Sequence, residues 1–587
     1  MLSLKSKYRT HTCGELTEKN VGETVTLSGW VHRKRDHGSL LFVDLRDNYG
    51  ITQCVFDGGD ENLEKIHPES VIKITGTVVA RDKEAINDKL PTGHIEIKSG
   101  KWEVLTNADV LPFQVFGDDD VPEDLRYQYR FLDLRREKLH KNILMRNKII
   151  KWLRDQMWEM GFSEFQTPLL TADSPEGARC FLVPSRLHHG KFYALPQAPQ
   201  MFKQLLQVSG FDRYFQIAPC FRDEDLRADR LLEFYQLDLE MSFVDLPDVQ
   251  AVGEELLPKL IKTFVPDAIV SDEVPHISFD DAMLKYGCDK PDMRNPILIS
   301  DVTEIFRGSD FGIFANAIEN GAVVRAVPAP KSSDKPRSWF DKLGDYAVKE
   351  LGLGGLGYIV FAEEAKGPVA KKLDEARIAK LHEIAGDNSS LFFICDEEEK
   401  AAKAAGKLRN KLGEDLGLIN PKEFKFCWVD NFPFFERNEE DGSIQMTHNP
   451  FSYPIATLEE LDTKDPLTIK AAQFDMVMNG IEICSGGLRN YNPEVMLKCF
   501  NIAGYDVENV KKNFAGLYTS FQYGAPPHGG CAFGIDRLVC EIVGEPAVRE
   551  VVAFPANQRG QDLLMGSPNE VSEQQLRDVH IQVRKRG

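Results

Sequence analysis

The chain has 587 residues, of which 42% are hydrophobic and 28% charged, and its net charge is −20. That length exceeds a single hydrophobic core and predicts three or four domains of ordinary globular composition. The longest apolar runs are too short to cross a bilayer, and Met1 to Lys7 lack the apolar stretch of a signal peptide. The expectation is therefore a cytoplasmic protein that meets neither membrane nor DNA. The eleven cysteines include no Cys-x-x-Cys pair, which predicts reduced thiols rather than disulfides or a zinc knuckle.

In chain order, residues 9–105 read as short β-branched strands at 25–31, 40–45, 51–56, 71–79 and 94–97, separated by Gly, Asn and Asp. Residues 1–105 carry 15 Lys and Arg against 16 Asp and Glu, a balance of −1, with the clearest basic patch at Arg33-Lys34-Arg35. Five such strands predict a small barrel, either a nucleic-acid-binding OB-fold or a generic β-barrel. A polar linker follows, and residues 136–160 then show helical spacing through Leu139, Ile143, Ile149, Ile150, Leu153 and Met157, ending at Gly161. Segments 161–275 and 428–555 are strand-rich. Between them, 276–427 changes to glycine-rich turns and Ala/Lys/Glu-rich runs, with helices expected over 363–383 and 397–412, and reads as an inserted α/β domain.

Three constellations carry chemistry. Gly161 to Leu170 runs from a helix into a strand that ends at Pro168. Phe221-Arg222-Asp223-Glu224 opens a densely charged loop between two strands, where an arginine can grip a phosphate in fork geometry; a solvated charged hairpin is the alternative. Gly530 to Leu538 places glycines at 530 and 534, suited to close backbone approach, before a helix that begins near Arg537. An ordinary strand–helix junction would look the same.

In this order the three resemble motifs 1, 2 and 3 of the class II aminoacyl-tRNA synthetases, and with the barrel they match the aspartate/asparagine/lysine subgroup. Ser174 to Ala178, Gln197 to Lys203, His448-Asn449-Pro450-Phe451 and Glu482 to Arg489 are similar to the aspartate-specific members. The insertion resembles that of the bacterial type. The implied architecture is α+β and multidomain: an OB-fold anticodon-binding barrel (1–107), a hinge (108–135), an antiparallel-sheet catalytic core (136–275 and 428–555), an inserted α/β domain of the GAD type (276–427) and a C-terminal extension (556–587).

The resemblance implies aspartate–tRNA ligation. ATP activates L-aspartate to an adenylate, and the aspartyl group passes to the 3′ end of tRNA-Asp. Arg222, Glu224 and Arg537 are the implied catalytic residues. The nucleotide would be held by Arg222, Asp223, Glu224, Glu482, Gly534, Ile535, Asp536 and Arg537, with Mg²⁺ on Asp475 and Glu482. Aspartate would be held by Glu176, Gln200, Lys203, Arg222, Asp238, His448 and Arg489, with Asp238 orienting Lys203. In the barrel, Phe42 would stack a base, Gln53 and Glu96 would read base edges, and Arg33 and Arg35 would lie near phosphates. Phe42 as a plain core residue is the competing reading.

His37 stands where many relatives carry leucine, and in this family that exchange accompanies charging of tRNA-Asn as well; an ordinary polar loop residue is the other reading. Further departures from the usual pattern fall at His448-Asn449, Cys484-Ser485 and Leu231-Leu232. A homodimer is implied, with Pro168 near its two-fold axis. The rivals are a sibling ligase for asparagine or lysine, a non-catalytic tRNA-binding paralogue, and a tRNA-free aspartate-activating enzyme.

Overall fold

The computed structural model describes residues 4–57, 61–117, 119–173, 178–438, 440–447 and 449–584. Glu176 and His448 therefore lie outside the described residues. Two compact units divide at Lys138 and Leu139.

In the first unit, strands Thr24–Asp36, Leu40–Arg46, Ile51–Asp57, Val71–Ala80 and Ile95–Thr106 close into a barrel in the order first, second, third, fifth, fourth. Strict alternation drives the closure. Val25, Leu27 and Val31 point inward with Val43, Leu45, Ile72, Ile74, Ile95 and Ile97, each at most 1% exposed, to fill one core. Phe42 is absent from that core. It sits on the outer face of its strand, because Leu41 and Val43 on either side point inward.

In the second unit, an eight-stranded sheet runs His276–Ser278, Phe426–Asp430, Gln473–Met478, Ile481–Leu488, His528–Gly534, Glu233–Ser242, Arg213–Phe221, Ser163–Glu164. All pairings are antiparallel except the outermost on each edge. Its apolar face, with Leu237, Leu239 and Met241 from one strand, is covered by Leu246–Phe264, by Ile535–Val543 and by Ile149, Leu153 and Met157 of the helix Glu137–Glu159. Burial of such side chains contributes about 1.5–3 kcal/mol each. The intervening residues Gln236, Asp238 and Glu240 project from the opposite face, which carries the site.

The inserted segment builds a second sheet in the order Ser300–Asp301, Val323–Ala329, Ser389–Asp396, Gly357–Phe361, Ala365–Lys366. The run Leu391-Phe392-Phe393-Ile394 is buried on both sides, so helices cover both faces. Two expectations change here. His276–Ser278 pairs with Phe426–Asp430 in the catalytic sheet, so the strand read as opening the insertion is an edge of the core. The helix expected over 363–383 forms only as Glu375–Ala385. Gly367-Pro368 interrupts it, because proline lacks the donor a helix interior needs and restricts the residue before it. The helix expected over 397–412 is Glu398–Asp415.

Candidate active site

The register of the strands gathers the predicted residues onto one sheet face. Asp238 lies opposite Ala532 and Glu240 opposite Gly530; Ala532 and Gly530 in turn face Ser485 and Gly487; and Asp475 faces Ser485. Directly paired residues share a face, so small side chains form a floor between two polar ends. Gly530 has to be glycine. A Cβ there would stand 2.1 Å from the Leu239 carbonyl oxygen and 2.2 Å from Glu240 Oε2. At Gly534 a Cβ would make ordinary contacts, 3.8 Å from Arg537 Cδ and 3.9 Å from the Ile483 carbonyl oxygen, so the surrounding protein does not itself demand glycine there.

At one end, Lys203 and Arg489 are buried beside two carboxylates. Lys203 Nζ donates to Asp238 Oδ1 at 2.8 Å and lies 3.3 Å from Glu240 Oε2. Arg489 donates from Nε to Glu240 Oε1 at 2.9 Å and from Nη2 to Glu240 Oε2 at 3.2 Å and to the Gly530 carbonyl at 3.0 Å. Burial works against both cations, yet the carboxylates outweigh it and hold both pKa values above their usual range. Burial would likewise raise Glu240, but Arg489 and Lys203 hold its carboxyl below the ordinary range. Asp238 goes the other way, because there burial prevails over Lys203.

The buried face of the helix Gln200–Val208, which also carries Lys203, adds Gln200, whose Nε2 donates to Gln204 Oε1, and Gln204, whose amide is 3.1 Å from His528 Nε2. With His528 Nδ1 2.8 Å from the Pro526 carbonyl and burial lowering its pKa, that imidazole is a neutral hydrogen-bonding wall. Glu240, Gln204 and His528 were not singled out from sequence. Glu240 carried a signal, since it follows Asp238 at the two-residue spacing of a single strand face.

At the other end, Arg222 follows the strand Arg213–Phe221, with its guanidinium over the Phe234 ring at 5.1 Å. Its Nε is buried with no hydrogen-bonding partner among the described residues, an arrangement suited to an anion. Arg537 Nη1 donates to the Glu482 carbonyl at 3.0 Å, and Nη2 to Asp229 at 3.3 Å. Glu224 accepts from Arg230 at 3.1 Å, and the Asp223 backbone pairs with Arg179. Two predicted nucleotide contacts are not offered as side chains. Ile535 is fully buried in the core, and the buried Asp536 carboxylate is taken by Arg146 and by the Tyr235 amide at 3.2 Å. Asp536 thus ties the motif to the helix behind the sheet.

Asp475 and Glu482 come from two strands joined by Asn479-Gly480, both at positive φ as a two-residue hairpin turn requires. A bulge between Met476 and Val477 brings Glu482 onto the face of Asp475. Asp475 Oδ1 is buried and has no hydrogen-bonding partner among the described residues. Burial pushes its carboxyl up to about 8, Glu482 adds to the shift and Lys290 opposes it. Lys290, a further residue missed in the sequence, holds its Nζ 3.4 Å from Glu482 and 3.9 Å from Asp475. An orphaned carboxylate oxygen, a second carboxylate on the same face and a cation drawn to both make this pair fit for Mg²⁺, which takes oxygen ligands.

On the barrel, Arg35 Nη2 donates to Asp44 at 2.8 Å and to Gln53 Oε1 at 3.0 Å, and Gln53 Nε2 donates to Glu96 at 2.8 Å. Phe42 lies opposite Arg35 on the same outer face, and His37 meets its ring edge-on at 5.3 Å. Arg35 Nη2 is therefore tied to the group expected to read base edges, while its side chain stays 46% exposed. Arg33 stacks over Phe116 at 4.6 Å.

A buried, charge-paired cluster, an arginine with a buried donor unpartnered among the described residues, and a carboxylate pair lie along one sheet, the arrangement expected of a nucleotide-dependent acid-activating ligase. Comparison with known families agrees. Residues 122–558 match the family described as tRNA synthetases class II (D, K and N), and residues 25–105 match the OB-fold nucleic acid binding domain. An aspartate–tRNA(Asp/Asn) ligase of Acidiphilium cryptum is 56% identical over 585 residues, 98% of each chain, and one of Paramagnetospirillum magneticum is 55% identical over 584 residues, 98% of this chain and 67% of that protein. In fold, the chain is similar to the aspartyl-tRNA synthetase of Entamoeba histolytica (TM-score 0.54, 19% identity, 92% of this chain and 90% of that one). It is also similar to the asparaginyl-tRNA synthetase of Pyrococcus horikoshii complexed with asparaginyl-adenylate (TM-score 0.55, 20% identity, 93% and 97%). The chain belongs to the class II tRNA synthetases of the aspartate, lysine and asparagine group, and within it to the aspartate–tRNA ligases. Its class uses ATP as a substrate, and its family joins aspartate to tRNA.

Proposed function

We propose that the groove activates L-aspartate with ATP and passes it to the 3′ ends of both tRNA-Asp and tRNA-Asn. The observation that carries the choice of acid is the donor inventory at Lys203 and Arg489. Arg489 spends Nε and Nη2 on Glu240 and Gly530, and Lys203 donates one hydrogen to Asp238 while its ammonium lies in ion-pair contact with Glu240. Arg489 Nη1 and one ammonium hydrogen then suit one incoming carboxylate. Asparagine would turn an NH₂ against the same donors and leave them unpaired, at a cost of about 1–3 kcal/mol. Gln200, with Glu176 and His448, completes our assignment for the α-ammonium side.

Activation is attack of the aspartate α-carboxylate on the α-phosphorus of ATP with release of pyrophosphate. No proton need move, so positioning and charge neutralisation are what the protein supplies. Arg222 takes the α-phosphate, where charge grows, and its orphan Nε supports that role. Arg537 takes the terminal phosphate, Asp223 and Glu224 the adenine side, and Gly534 lies beside Arg537 on the nucleotide side. Asp475 and Glu482 would hold Mg²⁺, which when bound neutralises and orients the phosphates. We assign the enzyme to the cytoplasm, where protein synthesis takes place. We also infer a homodimer joined near Pro168. Leu169 and Leu170 beside it are 42% and 53% exposed, an apolar surface that supports such a contact.

Phe42 on the outer barrel face is assigned to base stacking. Phe42→Ala is expected to leave pyrophosphate exchange unchanged and to lower kcat/KM for tRNA about 10- to 100-fold, the worth of about 1–3 kcal/mol for one stacked base. Steady-state charging beside exchange checks this. Dual tRNA choice is supported by the exposed His37 against Phe42 and by the relatives named for both tRNAs. The test is aspartylation of tRNA-Asp and tRNA-Asn transcripts in parallel. Both should accept aspartate; a tRNA-Asn left uncharged while tRNA-Asp is charged would refute dual choice.

A further inference from the structure

The segment 288–295, which leads from the catalytic sheet into the inserted sheet, is held rigidly at its base. Arg409, fully buried on the helix Glu398–Asp415, donates to the carbonyls of Asp292, Asn295 and Ile297 at 2.7–2.9 Å. Asn295 returns a hydrogen bond to the Arg409 carbonyl at 2.9 Å, and Arg294 pairs with Asp292 at 2.7 Å. Gly287 is pressed against the backbone of Gly406 on the same helix. From this anchored segment Lys290 reaches out, its Nζ 2.5 Å from Asp289, 3.4 Å from Glu482 and 3.9 Å from Asp475. Its side chain is 33% exposed, so the ammonium has a way out to solvent.

We propose that Lys290 is a place-holding cation: it neutralises the Asp475–Glu482 pair while the nucleotide site is empty and swings back to Asp289 alone when Mg²⁺ arrives with ATP. The inference rests on Asp475 and Glu482 holding that ion. The Asp475 and Glu482 carboxyl groups share one sheet face, and Asp475 Oδ1 is buried with no partner among the described residues, so a tethered ammonium beside both stabilises the empty site. The same ammonium repels a divalent ion entering alone, because like charges at 3–4 Å in a half-buried site are poorly screened. The phosphates of ATP add the negative charge that lets the ion enter, so metal and nucleotide load together. Asp289, already in contact, offers the displaced lysine a second partner. Lys290 is thus a positioning residue, and it links the inserted domain to the nucleotide site.

The test is Mn²⁺ binding, followed by electron paramagnetic resonance, to full-length wild type, Lys290→Met, Lys290→Arg and Asp475→Asn, with and without ATP. In the absence of nucleotide, Lys290→Met should bind Mn²⁺ at least tenfold more tightly than wild type, about 1.4 kcal/mol, while Lys290→Arg should match wild type. With ATP present, Lys290→Met and wild type should agree within threefold. Unchanged or weaker Mn²⁺ binding by Lys290→Met without nucleotide would overturn the proposal, as would a tenfold loss with ATP, which would make the lysine a phosphate ligand. Asp475→Asn separates the two readings: if it leaves Mn²⁺ binding with ATP intact, the metal assignment fails rather than the role of Lys290.

Discussion

Arg222→Ala should lower aspartate-dependent pyrophosphate exchange by a factor of about 10³ or more and leave the fold as stable as before. A preorganised donor aimed at charge that grows in the transition state is worth about 3–4 kcal/mol, which is two to three powers of ten in rate. An arginine on a transferring phosphoryl group reaches the upper end of that range. Stability should not follow. The Arg222 guanidinium lies over Phe234, and among the described residues its buried Nε has no hydrogen-bonding partner. Removing an unsatisfied donor costs little and relieves a desolvation penalty. Exchange measured beside a urea unfolding curve tests both halves: a thousandfold loss with an unchanged midpoint supports the assignment, and exchange within threefold of wild type refutes it.

Glu240→Gln should do the opposite and damage both properties. Glu240 is fully buried and is the shared partner of Arg489 and Lys203. Breaking a buried pair strands the cations and costs about 3–5 kcal/mol of stability. The fork of Arg489 also loses the bidentate contact that aims it, so KM for aspartate should rise about 100-fold or more, with a smaller change in kcat. The pH dependence has a definite sign. Glu240 is held below its unfolded pKa, so its stabilisation is complete above about 4.3 and fades as the pH falls through its lower folded value. The stability gap between wild type and Glu240→Gln should therefore narrow in acid, below about pH 4. A gap that widens there would contradict the pairing.

Most of the fold was legible where periodicity is strong. The barrel strands alternate inward and outward with little interruption, and the long helix ending at Gly161 shows an apolar stripe over more than five turns. What escaped was set by distant partners. His276–Ser278 has only three residues, and its place in the catalytic sheet depends on Phe426–Asp430, about 150 positions later. The outward position of Phe42 depends on Leu41 and Val43 filling the barrel, which a strand with apolar residues on both faces does not announce.

The site divides in the same way. Arg222, Arg489, Lys203, Asp238, Asp475 and Glu482 stood in motifs; the sheet register brings Asp238, Asp475 and Glu482 to one face, and Lys203 and Arg489 join it through Asp238 and Glu240. Asp536 belonged to the same motif, yet its carboxylate serves Arg146 behind the sheet. Alternation along a strand tells which residues share a face; at a strand–helix junction that rule lapses. Lys290 carried no local signal, since its meaning comes from carboxylates almost 200 residues further on.

The central claim is that this groove activates aspartate. It is tested most directly by ATP–pyrophosphate exchange with the purified full-length chain, supplied in turn with aspartate, asparagine and lysine. Exchange with aspartate, and at most background with asparagine and lysine, is the predicted result. Exchange driven by asparagine or lysine while aspartate stays at background would contradict the reading of Lys203 and Arg489 as a carboxylate pocket, and with it the assigned reaction.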